Sequence, residues 1–306
     1  MALGLAMGML GAIGFSGKAI IVKLAYRHGV DTVTFLMLRM LLALPFFMAM
    51  VWWTQHRKGS VPVRLSVREW LGVVWLGFCG YYLASFLDFA GLQYVSASLE
   101  RLILYLYPTL VLLLGILLYG KRASRNQWMG MAVSYAGVVT VFAHELRLTG
   151  ADAGLGAALV FGSAVSYALY LSYSGELVRR LGALRLVGLA SCVACVLCVG
   201  QFAVLRPMHV VTELPADVWY LSVVNASLCT VLPVLLVMLS IERIGSALAS
   251  QAGMVGPMST LVMAALVLDE PLSPWLLLGT ALVMSGVFIC SRGQDRPNSP
   301  PPSPVE

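Results

Sequence analysis

Charge is what this sequence has least of. Only 11% of its 306 residues are Asp, Glu, Lys or Arg, against about 25% in an ordinary soluble domain. Too few polar side chains remain to coat a soluble globule that is 59% hydrophobic. The four histidines, His28, His56, His144 and His209, are all expected between apolar runs. Histidine clusters, paired catalytic carboxylates and metal-ligand spacings are missing, which argues against an enzyme and leaves no cofactor or metal to expect. Three of the six cysteines stand in "CVACVLC" as Cys192, Cys195 and Cys198. No fourth ligand lies nearby, so they read as small apolar residues on one face of a helix. "GFSGKA" (14–19) lacks the glycine spacing of a phosphate loop and has Ala19 where Ser or Thr must follow the lysine. The net charge of +6 comes from short basic clusters between apolar runs, so nucleic acid is not an expected partner.

What is abundant is oil. Mean hydropathy is +0.87, and apolar runs of about 20 residues recur along the chain, each long enough to cross a hydrocarbon core of ~30 Å as a helix. The alternating short segments of a membrane barrel are absent. The reading is an all-α polytopic membrane protein with ten transmembrane helices, near 3–25, 32–53, 70–91, 95–118, 126–143, 154–175, 184–205, 218–240, 245–268 and 274–291. The first run has no basic leader and no cleavage site, so it is expected to stay as a span. If the N-terminus is cytoplasmic, the inner loops collect Arg57, Lys58, Arg64, Arg68, Lys121, Arg122 and Arg125, among others. The outer loops then hold only Arg27, Arg147 and Arg206. That asymmetry puts both termini in the cytoplasm.

A shift of 149 residues lays the second half on the first. Pro108 falls on Pro257, Leu99 on Leu248, Ser124 on Ser273, Gly130 on Gly279, and Gly137–Val138 on Gly286–Val287. Five spans per half is an odd number, so the second copy must enter the membrane from the other side. Inverted repeats of this kind build many secondary transporters. The expected organisation is a first five-helix repeat over 1–148, a second over 149–292, and a disordered, Pro/Ser-rich cytoplasmic tail over 293–306.

The stretches "SASLERLILYLYPTLVLLLGILLYGKRASRNQWMGMAVSYAGVVTV" (96–141) and "SALASQAGMVGPMSTLVMAALVLDEPLSPWLLLGTALVMSGVFI" (246–289) carry a recognisable pattern. Each has an intramembrane proline, a short turn and a glycine-bearing next helix. In this the chain resembles the EamA-type transporters of the drug/metabolite transporter superfamily, over all but the tail. The resemblance implies helices around a central cavity and movement of small metabolites. The family's turn commonly carries glutamate, as Glu270 does here, whereas the first half has Lys121.

Against this background the few intramembrane charges stand out, since each costs about 3 kcal/mol on insertion scales unless it faces a cavity or a partner. Lys18, Lys23, Arg39, Asp88, Glu100 and Arg101 all fall in the outer half of the first repeat. Ala249 and Ser250 occupy the Glu100 and Arg101 positions in the second. Two readings stay open: a salt-bridge network, or a polar cavity whose surplus positive charge meets an anionic group while Glu100 or Asp88 accepts a proton. The substrate-binding or coupling candidates are therefore Lys18, Arg39, Asp88, Glu100 and Arg101. Tyr167, Tyr170, Asn225 and Gln251 join them from the second half. Pro108 and Pro257 are the expected kink or gating positions. The expected partners are a small-molecule substrate, the lipid bilayer, and protons or a counter-solute; the oligomeric state is not legible. The functional expectation is a secondary carrier for a small polar metabolite, amino-acid-like or anionic, in the bacterial cytoplasmic membrane. A non-transporting sensor or assembly subunit of the same fold is the alternative.

Overall fold

A computed structural model describes residues 1–56, 65–120 and 123–292. The tail expected to be disordered, the basic residues Arg57, Lys58, Arg64, Lys121 and Arg122, and the Gln251 side chain lie outside the described residues. Among the described residues every regular element is helical. In chain order they are α1 (Ala2–Arg27), α2 (Thr32–His56), α3 (Val67–Gly77), α4 (Ala84–Gly91), α5 (Ala97–Leu104), α6 (Tyr107–Tyr119) and α7 (Arg125–Thr149). There follow α8 (Ala151–Leu181), α9 (Ala183–Leu205), α10 (His209–Thr212), α11 (Ala216–Ala226), α12 (Leu232–Gly253), α13 (Val255–Val267) and α14 (Pro274–Arg292). Among the described residues eight helical stretches are long and apolar enough to cross a membrane, and two shorter apolar helices, Val255–Val267 and Pro274–Cys290, follow them.

The burial pattern is that of a protein dissolved in lipid. Leu117, Val204 and Leu266 point outward, while Ser16, Thr34, Arg39, Asp88, Glu100, Asn225 and Thr260 are buried among the helices. Small residues let the backbones meet. Ser163 donates to the Ala84 carbonyl at 2.7 Å and Ser166 to the Cys79 carbonyl at 2.8 Å, tying α8 to the α3–α4 span. Ser240 does the same to the Gly4 carbonyl, between α12 and α1. Each such interhelical bond stabilises by roughly 0.6 kcal/mol. On α7 and α14 a Cβ at Gly130 would stand 2.6 Å from the Gly286 carbonyl oxygen, and one at Gly137 would stand 2.7 Å from that of Gly279. Ser134 donates to the Val283 carbonyl, a pair separated by the same 149 residues that relate the two halves of the sequence.

Helices start beside both Pro108 and Pro257, the expected kink or gating positions. α5 ends before Tyr107, and Pro108 sits in the first turn of α6, where a missing N–H costs nothing. α12 ends at Gly253 and Pro257 lies in the first turn of α13. Two further departures have no mark in the sequence. Phe78–Leu83 and Ser227–Val231 are π-helical, joining α3 to α4 and α11 to α12, again one offset apart. The span expected at 245–268 also starts differently: α12 runs through Gly245, whose φ of 79° no L-residue adopts without strain, and breaks again before Val255. His144 corrects another expectation. It lies inside α7 with its ring 6.4 Å from that of Trp275, because helices outlast the apolar window by a turn or more at the interface.

Candidate functional site

The site begins with how α5 is held. Ser96 caps the helix, its Oγ accepting the Leu99 N–H at 3.0 Å. Two carboxylates from elsewhere finish the job. Glu145, near the end of α7, accepts the Ser96 N–H at 2.5 Å and its hydroxyl at 2.8 Å. Glu270, in the turn between α13 and α14, accepts the Ala97 N–H at 2.7 Å and both the N–H and hydroxyl of Ser98. The first N–H groups of a helix are unpaired and carry partial positive charge, so this is where anions stabilise it. The effect is to fix a short helix whose next two residues are Glu100 and Arg101.

Those neighbours point to different places, as the ~100° step of a helix requires. Glu100 is fully buried and faces Lys18 Nζ across 3.8 Å, while Lys18 sits 2.5 Å from Asp88 Oδ2. Arg101 turns to the second half and to α1, donating from Nε to Thr260 at 3.0 Å and from Nη2 to the Phe15 carbonyl at 2.5 Å. Arg39 reaches the group from α2. It lies 5.0 Å over the Phe89 ring, with Lys18 Nζ 6.0 Å from the same ring, and its Nε donates to Thr230. Thr230 belongs to the second π-helical turn and donates in its turn to the Asn225 carbonyl, five residues back. Asn225 Nδ2 completes the ring by donating to the Lys18 carbonyl at 3.4 Å. The structure thus brings Lys18, Arg39, Asp88, Glu100, Arg101 and Asn225 into one cluster. Arg39 Nη1, Asp88 Oδ1, both Glu100 oxygens and Asn225 Oδ1 are buried there without a protein hydrogen-bond partner.

Residues 2–143 and 154–292 match the model of the EamA-like transporter family. The chain belongs to that family. A relative from Bacillus subtilis (strain 168), named "Uncharacterized transporter YcbK", is 31% identical over 302 residues, covering 94% of this chain and 91% of its own. A solved structure described only as "Crystal structure of protein" has a TM-score of 0.65 at 16% identity, over 94% of this chain and 98% of that one, and speaks to the fold alone. This EamA-like protein is therefore a multi-pass integral membrane protein of a transporter family.

In this EamA-like transporter, Tyr167 and Tyr170 are not part of the charged cluster. Tyr167 packs edge-on against Tyr107 at 5.7 Å and stacks on Tyr170, whose hydroxyl meets that of Tyr81 at 3.3 Å. Their three-residue spacing marked a common face, but the face meets other tyrosines. Thr230, Thr260 and Phe89 were missed: threonine and phenylalanine are ordinary in spans, and only the fold shows them against guanidinium groups. A cavity of about 660 Å³ opens at the Arg27 end of α1, lined by Lys23, Tyr26, Arg27, Asp31, Gln93 and Glu270. Glu270 is thus both a wall of the cavity and the clamp on α5. Glu270→Ala should orphan two N–H groups, at about 1–3 kcal/mol for each one left buried, and lower the unfolding temperature in detergent.

Asp31, in the turn between α1 and α2, makes this end acid-sensitive. Burial alone would raise its pKa, but the Thr34 hydroxyl, Arg206 and the Thr34 N–H hold it below the usual carboxylate range. A depressed folded-state value means the stabilisation is present above the ordinary carboxylate pKa. It is lost as pH falls through the lower one. Hydrogen exchange at Val33 and Thr34 should accelerate in that acid window, and Asp31→Asn should remove the pH dependence.

Proposed function

We propose that the protein is a secondary carrier of the cytoplasmic membrane that moves a small polar metabolite, amino-acid-like or anionic, by alternating access. In this reading ten helices form two inverted repeats, over 1–148 and 149–292, with both termini cytoplasmic. Gly245 then ends the eighth helix, 246–267 is a ninth broken at Met254, and α14 is the tenth. Several observations support the arrangement. Both π-helical turns and both proline breaks recur at the one offset. The α7–α14 contacts exchange under it, since Gly130 against Gly286 becomes Gly279 against Gly137. Such exchange is what a twofold axis requires.

The observation that carries the function is the cluster itself. Three bases and two acids from the first half face neutral polar groups of the second, Asn225, Thr230 and Thr260. The fully ionised set has one positive charge in surplus. Arg39 Nη1 offers an unused donor and Asn225 Oδ1 an unused acceptor, on residues that Thr230 links. A carboxylate beside an ammonium or hydroxyl answers both. Uptake into proteoliposomes from a metabolite library tests this. The expected result is saturable transport of a small polar solute, with Arg39→Gln raising KM about tenfold or more, in line with the ~1.5–3 kcal/mol of a hydrogen bond to a charged group. A protein that moves no solute across a broad panel would count against the reading.

A further inference from the structure

The acid pair of α4 and α5 has more lone pairs than donors. Lys18 satisfies Asp88 Oδ2 and reaches Glu100 Oε1 only at 3.8 Å. Asp88 Oδ1 and both Glu100 oxygens meet no protein N–H or hydroxyl among the described residues, although both carboxyl groups are gathered around the one Lys18 ammonium. The other charges are committed elsewhere. Arg101 is engaged by Thr260 and the Phe15 carbonyl, and Arg39 by Thr230 and the Phe89 ring. Lys23 and Arg27, the other two bases of α1, line the cavity, and Arg27 donates to the Leu268 carbonyl. The Glu145 and Glu270 carboxylates are occupied by the N-terminus of α5. Of the remaining neighbours of α5, α13 has no ionisable residue, α14 has only Arg292 at its far end, and the charges of α8 sit at its two ends.

Two buried carboxylates that share one ammonium cannot both ionise cheaply, and a proton on one converts it from a pure acceptor into a donor. We infer that Asp88 and Glu100 hold one proton between them, carried on Glu100 and donated to Asp88 Oδ1, and that this proton is the coupling ion of the carrier proposed above. Distance sets the order: the Lys18 ammonium lies nearer to Asp88 than to Glu100, so the proton is placed on Glu100. Release breaks the Glu100 O–H bond and passes the proton to water. Lys23, five residues beyond Lys18 on α1, lines the cavity and marks the route. The charge left on Glu100 is met by Lys18, already within reach. The coupling half of the inference rests on the carrier reading; the shared proton does not.

Infrared difference spectroscopy of the purified protein in lipid vesicles reads the proton directly. At neutral pH the native protein should show a protonated-carboxyl C=O band that shifts in deuterium oxide. Glu100→Gln should abolish the band by removing the acid. Asp88→Asn should abolish it by removing the neighbouring negative charge and offering an amide N–H in its place, so that Glu100 ionises against Lys18. A second arm uses vesicles loaded with a pH-sensitive dye and the metabolite found by library uptake: a pH difference should drive native uptake, and Glu100→Gln should lose that drive. A native spectrum without the band, a band that either variant leaves in place, or uptake indifferent to the pH difference overturns the inference. If no metabolite is moved, the carrier reading and the coupling fail together, while the infrared arm still decides the shared proton.

Discussion

Lys18→Met is expected to be the most damaging single change in the chain. Lys18 is the one base in ion-pair range of both Asp88 and Glu100 among the described residues. Removing one partner of a buried ion pair costs about 3–5 kcal/mol, because the other charge is left without compensation. Against a total stability of roughly 5–15 kcal/mol, that is a large share. The variant should yield far less monodisperse protein in mild detergent, with an unfolding temperature well below native. Adding Asp88→Asn should restore folding, since it removes the stranded charge, while transport stays lost. A single variant that folds like the native protein would mean that the pair does not hold the helices together.

Gly286→Ala should be nearly as severe, for a steric reason. Its Cβ would stand 2.5 Å from the Gly130 carbonyl oxygen and 2.5 Å from the Ser134 nitrogen. Backbone atoms cannot step aside as a side-chain tip can, so α14 has to move off α7. Overpacking of this kind costs about 1–3 kcal/mol and sometimes more. Gly130→Ala, which meets the Gly286 oxygen at 2.6 Å, should cost about the same. Gly200→Ala is the control: nothing lies within 4 Å of its Cβ, and a compatible Gly-to-Ala change stabilises by about 0.4–1 kcal/mol. Thermal unfolding of the three variants side by side checks the contrast. Equal behaviour of all three would refute the close approach.

Much of the fold could be read from hydropathy because lipid demands the same thing of every span: an apolar exterior about 20 residues long with its backbone satisfied internally. The helix starts beside Pro108 and Pro257 follow equally from a local rule, the missing N–H. The π-helical turns do not, since "FCGYYL" and "SLCTV" share no composition that distinguishes them from ordinary helix. Of the site, Lys18, Arg39, Asp88, Glu100 and Arg101 were conspicuous because charge is rare in a span. Their pairing was not legible. Which acid Lys18 chooses depends on how α1 packs on α4 and α5, and Arg39 finds Thr230 across a sequence separation of 191. Tyr167 and Tyr170 show the converse. Periodicity placed them on one face, yet only packing could say that Tyr81 and Tyr107 cover it.

The ionisable side chains of the cluster all come from residues before 149, while their second-half partners are uncharged. In the alternating-access reading proposed above, reorienting the halves would shift this charge within the membrane field. Each elementary charge carried through the full field is worth about 2.3 kcal/mol per 100 mV, so even a partial displacement of this lopsided set gives polarised membranes a preferred resting orientation. A carrier so biased would show different initial rates of uptake and efflux when the membrane is polarised.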